Sequence, residues 1–363
     1  MRRAALVLIV LALGGCAGEG RRGPDRGGHG ASPGRSSSLA THVQVEITPL
    51  GDVPNNGVQL PLAAPDGAHI AWLVRQGSPV TPEDLLAGDP AAAMRLEIRP
   101  LKAEGRPRVL DEAALWPSFT ADGRFLVWVS HEGGQAVVKR YDTRTGSTER
   151  AVAPGRRVIM PALSPDGSII VILILRDGRW RMTAFDWPFD TQYAISDPSV
   201  RPFFPRWTRD GRVVFLETDG QAVYAGHWRV GDGGPERIMP LAIPPTDYAL
   251  FQATAALGEP FSADGRRLMY TSADLGGLAL ADLARARELN TFPAAASACW
   301  FGDDVIVATG DRLSLYVDDK PPALLVHGPW IPLICSGDTV LALTEGAHRG
   351  VFALRRIRVV VQP

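Results

Sequence analysis

A short turn signal recurs along this chain, each time with a strand-like apolar run behind it: "AAPDGAHIAWLV" from Ala63, "FTADGRFLVWV" from Phe119, "LSPDGSIIVIL" from Leu163, "WTRDGRVVFLE" from Trp207 and "FSADGRRLMYT" from Phe261. The turn glycines Gly67, Gly123, Gly167, Gly211 and Gly265 are 56, 44, 44 and 54 residues apart, a period that suits stacked units rather than one large core. Two weaker copies, from Cys299 and Leu333, bring the count to seven. Each has a mechanism: Asp at the third turn position accepts local hydrogen bonds, and Gly at the fourth tolerates positive φ. The aspartates Asp66, Asp122, Asp166, Asp210 and Asp264 are therefore read as turn residues and not as a ring of acids.

The apolar run behind the turn decides the architecture. Ile169 to Leu175 is apolar at both parities, so that strand must be covered on both faces. Its β-branched residues and uncapped start argue against a helix. Further strands come after short turns, as in "AVVKRYD" and "TERAVA". Four antiparallel strands, repeated in a ring so that each sheet lies between two others, predict an all-β protein: a β-propeller of about seven four-stranded blades, with six as the alternative. Val43, Val45 and Ile47 alternate with polar residues, so residues 42 to 48 are expected to close the ring as an outer strand near Val351 to Val361.

An aromatic residue or Leu, then Ser-Pro-Asp-Gly or a variant, two residues and an apolar strand resembles the β-propeller repeat of the TolB type, over roughly residues 57 to 361. The resemblance implies the fold more than the function. The α/β domain that precedes the propeller in TolB itself has no counterpart here, so a Tol-Pal role is not implied.

The N-terminus reads as a targeting segment: Met1-Arg2-Arg3, an apolar stretch from Ala4 to Ala12, then Leu13-Gly14-Gly15-Cys16. The apolar stretch is too short to span a bilayer. Leu, two small residues and Cys resemble the lipobox of bacterial lipoproteins, which implies that residues 1–15 are removed and Cys16 is acylated. Residues 16–40 then form a lipidated start and a Gly, Ser, Pro and Arg-rich tether, with an average reach of about 25 to 30 Å, and 41–363 the propeller. The expected location is the cell envelope, attached to the membrane through the lipid. In a two-membrane host Ala17, which is not the Asp of the inner-membrane retention pattern, favours the outer membrane facing the periplasm. A formal charge of −1 gives no nucleic-acid footprint.

Catalytic motifs do not converge. There is no G-x-S-x-G elbow and no H-E-x-x-H; His131-Glu132 runs into Gly133-Gly134 at a hairpin tip and reads as solvated turn. The seven histidines are scattered, and no cofactor or metal is expected. In "RPFFPRWTRD", Arg201 to Asp210, Trp207 holds the repeat's core position, leaving Phe203, Phe204 and the arginines as candidates for stacking. Cys299 and Cys335 sit on innermost strands of neighbouring blades and point to opposite faces of them, giving either a disulfide or two buried free thiols.

Two insertions stretch the repeat. Gln76 to Met94 contains a capping-box start at Thr81-Pro82-Glu83-Asp84 for a helix carrying Leu85 and Leu86, with Gly88 to end it. Pro240 to Gly258 carries Tyr248, Leu250 and Phe251. Both are expected on the face opposite the repeated turns, on nearly opposite sides of the channel mouth, as exposed partner-binding loops or as covers of the blade edges. The reading is a non-enzymatic binding or assembly module for an unknown envelope protein; the alternative is a propeller enzyme or small-ligand sensor with a polar site at the channel mouth.

Overall fold

The computed structural model describes residues 43–102, 106–194, 196–197, 199–255, 257–272, 274–317, 322–348 and 350–361. The signal segment, Cys16 and the tether lie outside the described residues. Strands Val158–Leu163, Ile169–Arg176, Arg179–Asp186 and Gln192–Ala194 show the plan, in which chain order is spatial order and every neighbour is antiparallel. The sheets from Arg201–Trp207 to Glu236–Leu241 and from Ala295–Phe301 to Ala323–His327 repeat it. Around residues 261 to 293 the innermost strand shrinks to one bridge, Phe261 with Leu268.

One sheet, from Leu62–Ala63 to Thr148–Val152, has seven strands because Arg108–Phe119 serves twice. Its first half pairs with Met94–Pro100 and its second with Phe125–Glu132. The partner changes at Ala114, which faces Met94 on one side and Ser130 on the other; the register shift that follows, with Trp116 at φ 53°, recurs at Met160 and Phe204 in the innermost strands of the next two blades. The described strands thus form six hydrogen-bonded sheets, and dividing this one at its shared strand leaves seven units. Their innermost strands touch around a ring, Leu62–Ala63 meeting Ile331–Ser336.

Burial follows the double-sided pattern. Ile170 to Ile174 are all 1% exposed or less, and removing such side chains from water contributes roughly 1.5 to 3 kcal/mol each. The closing strand is present and longer than expected: Val43–Pro54 pairs with Val351–Val361, from Val43 opposite Val361 to Pro54 opposite Val351. The pairing shifts between Pro49 and Gly51, and this bulge carries the strand past residue 48, where its alternation stops being regular.

The repeated turn is a small hydrogen-bond device. In the third copy the Ser164 hydroxyl donates to Asp166 Oδ1 at 2.6 Å and accepts from the Ile169 N–H at 2.9 Å, while Asp166 also accepts from the Ser168 N–H. Thr120, Thr208 and Ser262 do the same in their copies. Gly265 shows why the fourth position stays glycine: φ is +66°, and a Cβ there would lie 2.4 Å from Thr208 of the preceding blade. Partial burial works against the charge on Asp166, Asp210 and Asp264, yet these hydrogen bonds outweigh it and hold all three below their ordinary value of 3.8. Their contribution is complete above that value and is lost as pH falls through the lower folded values. The melting temperature of the full chain should therefore fall steeply below about pH 3.8. In Asp166→Asn that fall should be shallower; an unchanged slope would show that the turn carboxylates do not supply it.

Candidate functional site

The repeated turns do more than reverse the chain. Their second residues, Pro65, Ala121, Arg209 and Ala263, form part of the rim of a cavity at the centre of the ring. Its walls are the strand ends leading into those turns, with Phe119, Leu163, Trp207 and Phe261. The cavity holds about 790 Å³, part of it open to solvent. Trp207 fixes one wall, donating its indole N–H to the Ala162 carbonyl of the neighbouring blade at 3.0 Å.

At the base stand two charges. Arg206 Nε lies 3.7 Å from Glu259 Oε2, with the side chains 13% and 35% exposed. That exposure opens on the cavity, which both residues line. Arg206 donates to the Pro205 carbonyl at 2.9 Å and lies over the Phe204 ring. Burial pushes the Glu259 carboxyl above its ordinary value, and the Arg206 charge and the Phe261 N–H only partly oppose it. Burial likewise depresses Arg206, opposed by Glu259, although a guanidinium stays protonated. Trp300 also lines the cavity, and its buried indole N–H has no hydrogen-bond partner among the described residues.

Glu259 reaches this position because the chain crosses the channel. A Cβ on Gly258 would lie 2.0 Å from the Leu333 carbonyl oxygen, a backbone atom that cannot swing aside. Gly258→Ala should cost about 1 to 3 kcal/mol through this overlap. Chemical denaturation measures it, and a cost below about 0.5 kcal/mol would mean that the crossing segment moves freely.

The other end is closed by the two insertions, and here the structure corrects the sequence reading. The helix Pro82–Leu86 forms with Thr81 as N-cap and the capping box intact. The second helix is Asp247–Ala255. They meet rather than standing on opposite sides. Leu85, Leu86, Leu250 and Phe251 are 0, 5, 0 and 2% exposed. The four are core residues and not a displayed surface; only Tyr248 stays half-buried. Between the helices Trp116 packs edge-on against Phe251 and donates its indole N–H to the Leu85 carbonyl at 3.0 Å. The physical reason is that the apolar side chains of these short insertions are removed from water by packing on each other and on the blade cores beneath them.

Phe203 and Phe204 are also buried and stacked on each other, so neither offers a face to a base or sugar. Arg201 pairs with Asp247 at the start of the second helix. His131, read as a solvated turn residue, has both ring nitrogens buried. The turn aspartates sit in their turns. Among the described residues no group of three or more His, Cys, Asp or Glu stands close enough to hold a metal ion. Of the residues that matter here, Arg206 lay within the aromatic and arginine stretch Arg201 to Asp210. Glu259 and Trp300 carried no signal beyond their places beside Phe261 and Cys299.

Cys299 and Cys335 form a disulfide in the cavity wall, with Cα atoms 6.2 Å apart, inside the usual limit of about 7 Å. Non-reducing peptide mapping should return the two peptides joined. Two alkylatable thiols in unfolded, unreduced protein would contradict the bond.

No family model matches this chain, and no curated protein does. Solved structures do. Similarity to TolB from Acinetobacter baumannii has a TM-score of 0.41 at 17% identity, over 81% of this chain and 64% of that one. The β-propeller domain of the Trilobed protease from Pyrococcus furiosus, described as having an open velcro topology, gives 0.51 at 14% identity over 82% and 93%. A puromycin-hydrolyzing peptidase from Mycobacterium tuberculosis gives 0.53 at 16% over 84% and 52%. The chain thus spans less than two thirds of that TolB and about half of that peptidase. Together with the ring of four-stranded antiparallel sheets, these likenesses identify the chain as a β-propeller, the fold that its resemblance to the TolB-type repeat implied.

Proposed function

We propose that the chain is a lipid-anchored binding module of the bacterial cell envelope, and that it receives a protein partner at the channel mouth on the face of the repeated turns. One observation carries this reading: the channel is open at that end, with Arg206 and Glu259 at the base of an apolar funnel, and filled by packed helices at the other. A propeller with one open mouth offers a concave, rigid site whose edges are already paired. The Cys299–Cys335 bond supports an oxidising compartment. The anchor is argued from Leu13 to Cys16 and the outer-membrane address from Ala17.

A photo-crosslinking residue at Ala263, on the exposed rim, should capture an envelope protein in cells, whereas one at Tyr248 should not. Capture from Tyr248 alone would place the partner on the helical face. Cys16→Ser should abolish palmitate labelling and release the chain from the membrane fraction; retained labelling would remove the anchor from the proposal.

A further inference from the structure

The polar groups of the cavity are unequal in number and sign. Arg206 uses one N–H on the Pro205 carbonyl, and its Nε lies 3.7 Å from Glu259, beyond direct hydrogen-bond reach. Arg209 stands exposed at the rim. The hydroxyls of Thr208 and Ser262 are spent on their turns, which leaves Glu259 as the single charged acceptor in the lining. Donors therefore exceed acceptors in a site with two cations and one carboxyl group. A cationic ligand would have to pass Arg209 and settle beside Arg206. An anion meets unspent donors, and apolar walls surround them.

We propose that this cavity binds a carboxylate joined to an apolar or aromatic body, the carboxylate on Arg206 and the body against Phe119, Trp207 and Phe261. This deepens the reading of the mouth as a binding site and rests on it. The carboxylate has two sources, a free organic acid or the C-terminus of a peptide chain, and the recognition chemistry is the same. A buried guanidinium gives paired hydrogen bonds to a carboxylate and none of comparable strength to an amide.

Three titratable groups line the site: Arg206, Arg209 and Glu259. The Arg206 guanidinium stays protonated, so pH acts on this pair through Glu259, whose carboxyl is raised above its ordinary value by burial. Its neutral form, favoured by burial, tolerates a second carboxylate beside Arg206, and its ionised form repels one. Affinity for an acid should therefore fall as pH rises through the Glu259 value.

Calorimetry on the full chain with N-acetylphenylalanine and its amide, and with alanyl-alanyl-phenylalanine as acid and amide, tests this. At least one acid should bind at millimolar concentration or better, at least tenfold more tightly than its amide. Binding of the small acid alone assigns a free acid, and binding of the peptide acid alone assigns a chain end. Arg206→Met should abolish the preference. Arg206→Lys, which keeps the charge and loses the planar fork, should weaken acid binding severalfold and guards against a fold defect in Arg206→Met. Glu259→Gln should tighten acid binding and flatten its pH dependence. Equal binding of acid and amide, no acid binding at all, or an acid preference that survives Arg206→Met would overturn the proposal. Crosslinking from Ala263 without acid discrimination would keep the mouth as a partner site and remove the carboxylate pocket.

Discussion

Removing residues 17–54 will leave a chain that cannot hold its last blade, whereas removing 17–40 will leave the melting temperature nearly unchanged. The difference is the strand Val43–Pro54, which supplies the fourth strand of the sheet built on Ile331–Ser336, Thr339–Glu345 and Val351–Val361. Without it, Val351–Val361 becomes an exposed edge, and Val53, fully buried, leaves the cluster that holds Ile70, Leu341 and Leu354. A ring fails as a whole when one sheet fails, because each blade is covered by its neighbours. The loss should approach the whole of a domain's usual stability of about 5 to 15 kcal/mol. Thermal melting of the two truncations decides it, and equal midpoints would mean that the ring closes without this strand.

Phe251→Ala is expected to cost about 3 to 5 kcal/mol, the cost expected of Trp207→Ala. Phe251 is 2% exposed and lies edge-on to Trp116, which is itself tied to Leu85. Truncation opens a cavity between two helices that hold each other over the channel end, and neither helix is long enough to stand alone. Tyr248→Ser, on the half-buried side of the same helix, should stay within about 1 kcal/mol. Denaturant melts of the three variants measure this. A Phe251 variant as mild as the Tyr248 variant would mean that the helices float over the channel instead of filling it.

The repeated turn was legible in the sequence because its chemistry is local: hydroxyl, Asp and Gly all act within five residues, and the structure keeps them there. The double-sided strands were legible because apolar residues at both parities leave a strand no wet face. The closing strand showed through its alternation, although its bulge past Pro49 did not. What stayed hidden depends on distant contacts. Leu250 and Phe251 look the same in a sequence whether they face a partner or the protein's own channel. The choice is made by Trp116 and Leu85, more than 130 residues earlier in the chain. Arg206 and Glu259 are separated by 53 positions and meet only because Gly258 lets the chain pass against Leu333. Strand Arg108–Phe119 joins two blades because it runs on without a turn through Ala114, where its pairing passes from Met94 to Ser130.

The closing strand is also a mechanical joint, and its register gives the joint a direction. The chain preceding Val43 enters at the end of the sheet where Val361 lies, with Pro54 and Val351 at the far end. Tension that reaches Val43 sideways, away from the sheet edge, loads the Val43–Val361 pair first and opens the strand one rung at a time. Tension along the strand axis loads every rung together and must shear them in concert. The same hydrogen bonds are therefore compliant under a peeling load and stiff under a sliding one. The angle at which the preceding segment leaves the disc, more than the strength of any single pair, sets how much force the ring withstands.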